Sequence, residues 1–358
     1  MVDNKVISAF DTLGRFLGQF SENPFREDPE LVDLNRYAKD NFLNIIEKTE
    51  YKNPWFTPWF IQTAFGAWSA NLTEKKLRNW ISAYSWPVTS GNPKRIGLIL
   101  AGNIPMVGFH DFLSVIMSGH IARIKLSSKD DVILPAIRDV LLLLEPSLEE
   151  RIEFPEEYLK NMDAVIATGS DNSSRYFDYY FGKYPNIIRK NRNSVAVLTG
   201  EETDKELQLL ADDIFLYFGL GCRNVSKIYL PEGFDLKRLM DNFGHYQYLA
   251  NHNKFVNNHD YQKAILLVNR NEFLDNDFLI LRNAKSISSP VACLHYEFYN
   301  DRDALMQELN LNAGIIQCLV SAADFLHEKV EFGRSQFPEL NEYADNMDTI
   351  KFLLNLYS

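Results

Sequence analysis

From Arg95 onward, short apolar runs alternate with helical stretches, and this rhythm constrains the fold more than any other feature of the sequence. Residues 96–101 read as a strand ending in Gly102-Asn103, 105–118 as a helix and 122–126 as a second strand. A helix over 131–144, a strand over 163–167 ending in Thr168-Gly169-Ser170, a helix over 172–181 and a strand over 194–198 follow. Strand and helix in this order imply a parallel, doubly wound α/β sheet, which binds ligands beyond the carboxyl ends of its strands. The pattern then restarts. A helix over 203–218 leads to Gly219-Leu220-Gly221-Cys222. Beyond it the sequence predicts strands over 225–230, 264–268, 278–281, 291–298 and 314–320, with helices over 234–249 and 301–309.

The residues before Arg95 have a different texture. Leu31, Leu34, Tyr37, Phe42, Ile45 and Ile46 recur at helical spacing, and an aromatic cluster of Trp55, Phe56, Trp59, Phe60, Phe65 and Trp68 follows. These rings suit a helical layer packed on the main body; a wall for an acyl chain is the alternative. The expected division is therefore a helical layer over 1–90, a first α/β domain over 91–215, a second α/β domain over 216–330 and a C-terminal segment over 331–358.

With 358 residues the chain is long for a single core, and a net charge of -11 argues against broad contact with nucleic acid or anionic lipid. No apolar stretch reaches the ~20 residues that span a bilayer. Three cysteines at wide spacing form no metal pattern, and the histidines show no zinc-hydrolase spacing, so no metal is expected and a reduced, cytoplasmic setting is. His245, His252 and His259 lie in an Asn-rich stretch and are expected to be exposed. His110 and His120 flank a helix as acid/base or structural residues.

Several residues can do chemistry. Cys222 sits between Gly219-Leu220-Gly221 and Arg223, in a loop that allows tight turning and close approach to the sulfur, with a cation that can support a thiolate. A buried, inert thiol is the other reading, and it is the one adopted for Cys293 and Cys318, which lie within apolar strand runs. Asn103, at a strand end, is either a donor to an oxyanion or the N-cap of the helix after it. Gly169 and Ser170 precede a helix N-terminus as in a pyrophosphate site, although a plain capped turn would look the same. Lys125 ends a strand and could hold a ribose hydroxyl or phosphate, or simply be exposed.

In order and approximate spacing, these signals resemble the aldehyde dehydrogenase superfamily. The stretches over 102–110 and 218–226 are similar to its acyl-CoA reductase branch, which includes the fatty-acid reductase of bacterial bioluminescence. The similarity is good over 95–233 and looser to Val320. It implies that Cys222 is a nucleophile with Asn103 as its oxyanion partner, that Gly169 and Ser170 meet the cofactor pyrophosphate, and that Lys125 meets the adenosine ribose. It also implies that 91–215 is a Rossmann-type cofactor domain, 216–330 a catalytic domain and 331–358 a C-terminal return or oligomerisation segment, hence a homo-oligomer.

Three departures from the family pattern sharpen the expectation. The Glu that activates hydrolytic water in oxidising members falls near Ile188, within Ile187-Ile188-Arg189-Lys190, where no carboxylate is present. Water should then deacylate the thioester slowly. The Glu of many NAD-preferring members is Ser128 here, beside Lys129, which favours NADPH over NADH, with Asp130 as the opposing charge. The motif that holds the nicotinamide ribose is reduced to Ser286-Ile287-Ser288-Ser289-Pro290. The resulting expectation is an enzyme that takes an acyl group from acyl-CoA or an acyl-protein thioester onto Cys222 and reduces it to the aldehyde with NADPH, or with NADH. The alternatives are the oxidative, CoA-acylating direction and a non-catalytic protein that retains the fold.

Overall fold

In the computed structural model the described residues are 3–86, 92–155, 159–169 and 171–357, without the side chains of 171–174. The chain forms two compact units, one of residues 1–190 with 339–358 and the other of residues 191–338. The boundary thus falls at 190/191, where the sequence suggested 215/216. The helical layer belongs to the same unit as the first sheet, and the C-terminal segment is divided between the two units.

The first unit begins with four helices, α1 (Asn4–Gly18), α2 (Val32–Lys52), α3 (Pro58–Asn71) and α4 (Glu74–Ser82). Asp3, Thr57 and Thr73 cap α1, α3 and α4 through side-chain oxygens. Their core is aromatic: Phe16 and Phe42 meet edge to face at 4.9 Å, and Phe20 and Phe65 close the cluster. Phe56, Phe60 and Phe65 are buried, as expected for a packed layer, whereas Trp59 is 46% exposed.

Strands β1 (Arg95–Ile99), β2 (Ile121–Lys125), β3 (Ile152–Glu153), β4 (Ala164–Thr168) and β5 (Asn186–Arg189) form a parallel sheet in the order β3-β2-β1-β4-β5. Helices α5 (Phe109–Met117), α6 (Ile133–Leu144) and α7 (Asp171–Phe181) connect them. β5 was not legible in the sequence, because its inward positions are Ile187 and Arg189 and the latter looks like a loop residue. Arg189 is buried and pairs with buried Asp111 of α5 and with Thr349 Oγ1 at 3.0 Å.

The second unit holds β6 (Asn193–Val197), α8 (Asp204–Phe215), β7 (Val225–Pro231), α9 (Leu236–Asp241), α10 (Asn253–Val268), β8 (Leu274–Asp275), β9 (Ile280–Asn283), β10 (Cys293–Tyr299), α11 (Arg302–Leu311) and β11 (Ile316–Val320). The sheet order is β11-β6-β7-β10-β9-β8, parallel except for β8. Because β6 lies between β11 and β7, the boundary precedes it. The run over 264–268, expected as a strand, is the last part of α10. Only Leu266 in it is buried, Val268 is 82% exposed, and the His252 N-cap fixes the helix start. A short apolar run does not distinguish the two states. The helix expected over 234–249 is α9 followed by a 3-10 stretch over Gly244–Asn251.

The last helix, α12 (Thr349–Leu354), returns to the first unit. There His120, fully buried, stacks on Tyr357 at 4.4 Å, and its two ring nitrogens face the Lys94 N–H and the Leu353 carbonyl. Among the described residues no helix is long and apolar enough to cross a membrane.

Candidate active site

Cys222 lies on a turn between α8 and β7. After α8 the chain places Tyr217 (φ 55°), Phe218 (φ 58°) and Gly219 (φ 71°) consecutively in the left-handed region. Two non-glycine residues there cost roughly 1–2 kcal/mol each, so surrounding contacts must impose the shape. Phe218 packs on His252 at 4.4 Å and on Phe255. The main tether is Asn224. Its buried amide donates to the carbonyls of Asp213, Ile214 and Leu216 at 3.1, 3.3 and 2.9 Å, and its Oδ1 accepts from the Gly221 N–H at 2.8 Å. One side chain therefore satisfies the open carbonyls at the end of α8 and closes the turn that carries Cys222.

Two further groups fix this turn. The Ser194 hydroxyl donates to the Cys222 carbonyl at 3.1 Å. The Asp213 carboxylate accepts from the Gly333 and Ser335 N–H groups at 2.7 and 2.9 Å, and Arg223 reaches the Ser335 carbonyl at 3.4 Å. Burial pushes the Asp213 carboxyl up to about 6. All three cysteines are free and partly exposed. Burial pushes the Cys293 thiol up to about 12 and the Cys318 thiol up to about 11, so both stay protonated at neutral pH and are poor nucleophiles.

The cofactor-type residues gather in the first unit at the carboxyl ends of β1, β2 and β4. The strand order reverses between β1 and β4, the usual place for a ligand crevice in such a sheet. Asn103 follows β1 and Gly169 follows β4. α5 starts only at Phe109, with Gly108 at its N-cap position, so Asn103 is not the cap of that helix and the capping alternative is corrected. Gly102 is required where it stands: a Cβ there would lie 2.5 Å from Ser127 Oγ and 3.1 Å from Lys129 Cβ. The loops after β1 and β2 are therefore in direct contact.

Lys125 ends β2 with its side chain exposed, and Ser128 and Lys129 stand exposed at the tip of the following turn. The turn is closed by the Asp130 N–H on the Ser127 carbonyl at 3.0 Å. The end of α2 supports it, since Asn53 donates to the Lys129 carbonyl at 3.2 Å and Lys52 pairs with Asp131 at 2.6 Å. Nothing in the sequence linked Lys52-Asn53 to this loop. Asp130 is half-buried with its Oδ1 enclosed, and burial pushes its carboxyl up to about 6. The exposed donor set of lysine, serine and lysine, with one carboxylate turned inward and the other ion-paired, fits an anionic dinucleotide. Ser170 lies outside the described residues.

The histidines take structural positions. His110 Nε2 meets the Leu340 carbonyl at 2.9 Å, and its ring packs against Trp80 and Tyr343. His120 bridges two main-chain groups, as above. His259, expected to be exposed, is buried and bonded to Asp275 at 2.9 Å. The segment over Ser286–Pro290 carries no carboxylate. Its backbone is strapped to the second sheet by Ser226 Oγ on the Ile287 carbonyl at 2.7 Å and by His295 Nδ1 at the Ser286 carbonyl at 2.9 Å. Ile188 packs in an apolar cluster with Val165, Ala167, Phe177 and Phe181. No group of three or more His, Cys, Asp or Glu suited to a metal occurs among the described residues.

No protein-family model matches the sequence, and no curated protein sequence does. Solved structures do. The Mycobacterium tuberculosis aldehyde dehydrogenase complexed with NAD+ aligns with a TM-score of 0.58 at 11% identity, over 87% of this chain and 73% of that one. Aldehyde dehydrogenase 21 from Physcomitrella patens, complexed with the reaction product succinate, aligns with a TM-score of 0.58 at 11% identity, over 98% of this chain and 87% of that one. The P. syringae indole-3-acetaldehyde dehydrogenase AldA, in complex with NAD+ and IAA, gives 0.56 at 13% identity over 90% and 76%. The two sheets and their connecting helices therefore form an aldehyde dehydrogenase fold.

Proposed function

We propose that this protein is a nicotinamide-dependent oxidoreductase that captures an acyl group on Cys222 as a thioester and reduces it to an aldehyde. The observation that carries the reading is the Cys222 turn: a left-handed run held by Asn224 and Ser194 at a strand start, a strained and fully tethered shape of the kind that collects at functional sites.

In this reading the Cys222 thiolate attacks the acyl carbonyl, the carbon–sulfur bond to the donor breaks, and the donor leaves as a free thiol such as CoA. The Asn103 amide and a main-chain N–H hold the oxyanion, which requires Asn103 and Cys222 to act on the same carbonyl. Lys125, Gly169 and Ser170 would hold the cofactor's ribose and pyrophosphate, and Ser128 with Lys129 would receive a 2′-phosphate, making NADPH the preferred form. A reduced nicotinamide, when held there, would supply hydride to the thioester carbon. Collapse of the adduct breaks the Cys222–carbon bond and restores the thiolate.

The apolar setting of Ile188 supports reduction over hydrolysis, since no carboxylate stands there to activate water. The donor is acyl-CoA or an acylated partner protein. The test is NADPH consumption against a chain-length series of acyl-CoAs with the aldehyde trapped as a hydrazone. Aldehyde formed in proportion to NADPH used is expected; hydrolysis to the free acid without NADPH use would refute it.

A further inference from the structure

Past β11 the chain leaves the second sheet and settles on α8. Val330 still pairs with Val320 as a parallel bridge, donating to the Leu319 carbonyl at 2.8 Å and accepting from the Ser321 N–H at 3.0 Å. Gly333 then meets the helix. It stands at φ 76°, and a Cβ there would lie 3.0 Å from Leu209 Cδ2 and 3.2 Å from Leu209 Cβ, so the close approach calls for glycine. One turn further along α8, Asp213 takes the segment on both sides of Arg334. Its Oδ2 accepts from the Gly333 N–H at 2.7 Å and its Oδ1 from the Ser335 N–H at 2.9 Å. Both Asp213 and Ser335 are fully buried.

The same aspartate serves the Cys222 turn. Its main-chain carbonyl accepts from the Asn224 amide at 3.1 Å, and the Ser335 carbonyl accepts from the Arg223 guanidinium at 3.4 Å. Asp213 thus stands at the root of two arms. One ties Asn224 to α8, and the other fixes the acceptor for the arginine next to Cys222. Holding one N–H of a rigid, planar guanidinium restricts where its charge sits.

We propose that Asp213 is a positioning residue for the nucleophile: by seating Ser335 on α8 it holds the Arg223 guanidinium at the turn, where the cation favours the Cys222 thiolate. The proposal rests on the reading of Cys222 as nucleophile and names the source of its reactivity. Asp213 acts only through Ser335 and Arg223. A cation near a thiol favours the charged form and so increases the thiolate fraction at neutral pH.

The experiment is the pH dependence of labelling of the full chain by dithiodipyridine, a neutral disulfide. The thiolate attacks one sulfur, the S–S bond breaks and thiopyridone leaves. The rate is read on the Cys222 peptide by mass spectrometry above about pH 7, where Asp213, pushed up to about 6 by burial, is ionised. Asp213→Asn keeps the size and the main-chain carbonyl, hence the Asn224 bond, but turns an NH2 against one of the two N–H groups. It should raise the midpoint of the Cys222 profile by about one unit. The more basic thiolate is the stronger nucleophile, so labelling should fall about threefold at neutral pH and rise about threefold on the alkaline plateau. Simple loosening of the turn would move both ends in one direction. Arg223→Gln should give the same crossed profile, and the double variant no more than either alone. An unchanged midpoint in Asp213→Asn, or shifts that add in the double variant, would overturn the proposal. Gly333→Ala lifts the same segment from Leu209 without touching Asp213. It should reproduce the crossed profile, and it decides the matter where Asp213→Asn does not fold: an unchanged midpoint there overturns the proposal. Acylation by acyl-CoA is read in parallel. Wild type that labels at Cys222 but takes no acyl group refutes the proposed function, while the profiles still decide the role of Asp213.

Discussion

The Ser194 hydroxyl donates to the main-chain carbonyl of Cys222 at 3.1 Å, and the same oxygen accepts from the Cys318 N–H at 3.2 Å and lies 2.9 Å from the Cys318 sulfur. A fully buried serine on β6 thus fixes the turn that presents one thiol while occupying another. Ser194→Ala leaves the Cys222 carbonyl and the Cys318 N–H without this partner. It is expected to lower stability by about 1–3 kcal/mol and to slow acylation of Cys222, without changing affinity for the cofactor. Denaturant titration and a single-turnover acylation time course check both effects. Full stability with full acylation rate would show that the turn holds its shape without Ser194.

Asn103 follows β1 and does not cap α5, whose N-cap position is Gly108. Asn103→Ala should therefore slow the chemical step by about 10²–10³, the range for losing one oxyanion donor, and cost little stability. Pre-steady-state aldehyde formation and a thermal melt separate the two. A large drop in melting temperature with unchanged turnover would give the residue a structural role only.

In the turn after β2 the Asp130 Oδ1 is enclosed and Asp131 is paired with Lys52, while Ser128 and Lys129 stand exposed at the tip. One charge-assisted bond to a 2′-phosphate, roughly 1.5–3 kcal/mol, corresponds to about a ten- to hundredfold preference for NADPH in kcat/KM. Ser128→Glu should erase it by like-charge repulsion and leave acylation unchanged. Equal use of NADH and NADPH by wild type would contradict the assignment.

Acid sensitivity should concentrate at the C-terminal segment. Burial is the main cause that lowers the His120 value from 6.5, and it outweighs the hydrogen bond to the Leu353 carbonyl, which raises it. The unfolded chain then binds this proton more readily than the folded one. The contribution is whole above 6.5 and is lost as pH falls through the depressed folded value. Stability measured from neutral to mildly acidic pH should fall less steeply in His120→Gln than in wild type, and exchange over 349–357 should rise in wild type alone. Parallel pH curves would refute this.

Much of the architecture was legible because hydrophobic periodicity carries it. β1, β2, β4, β6, β7, β10 and β11 fall within a few residues of the runs that signal them. What the sequence hid has identifiable causes. β5 turns a charged residue inward because Asp111 waits for it, and the run ending α10 is apolar yet exposed. The unit boundary was misplaced because the neighbours of β6 are β11 and β7, and long-range pairing leaves no local trace. At the candidate site, Cys222, Asn103 and Lys125 were visible as residue types at strand and helix ends. Asn224, Ser194 and Asp213 were not, since their roles depend on main-chain groups brought near only by folding.

The central claim is that Cys222 carries the acyl group. The most direct test is peptide mass spectrometry after mixing the protein with acyl-CoA in the absence of cofactor. One acyl adduct is expected on the Cys222 peptide, discharged as aldehyde on adding NADPH and absent in Cys222→Ala, which should still bind the cofactor. An adduct on Cys293 or Cys318, or none in the wild-type protein, would contradict the account.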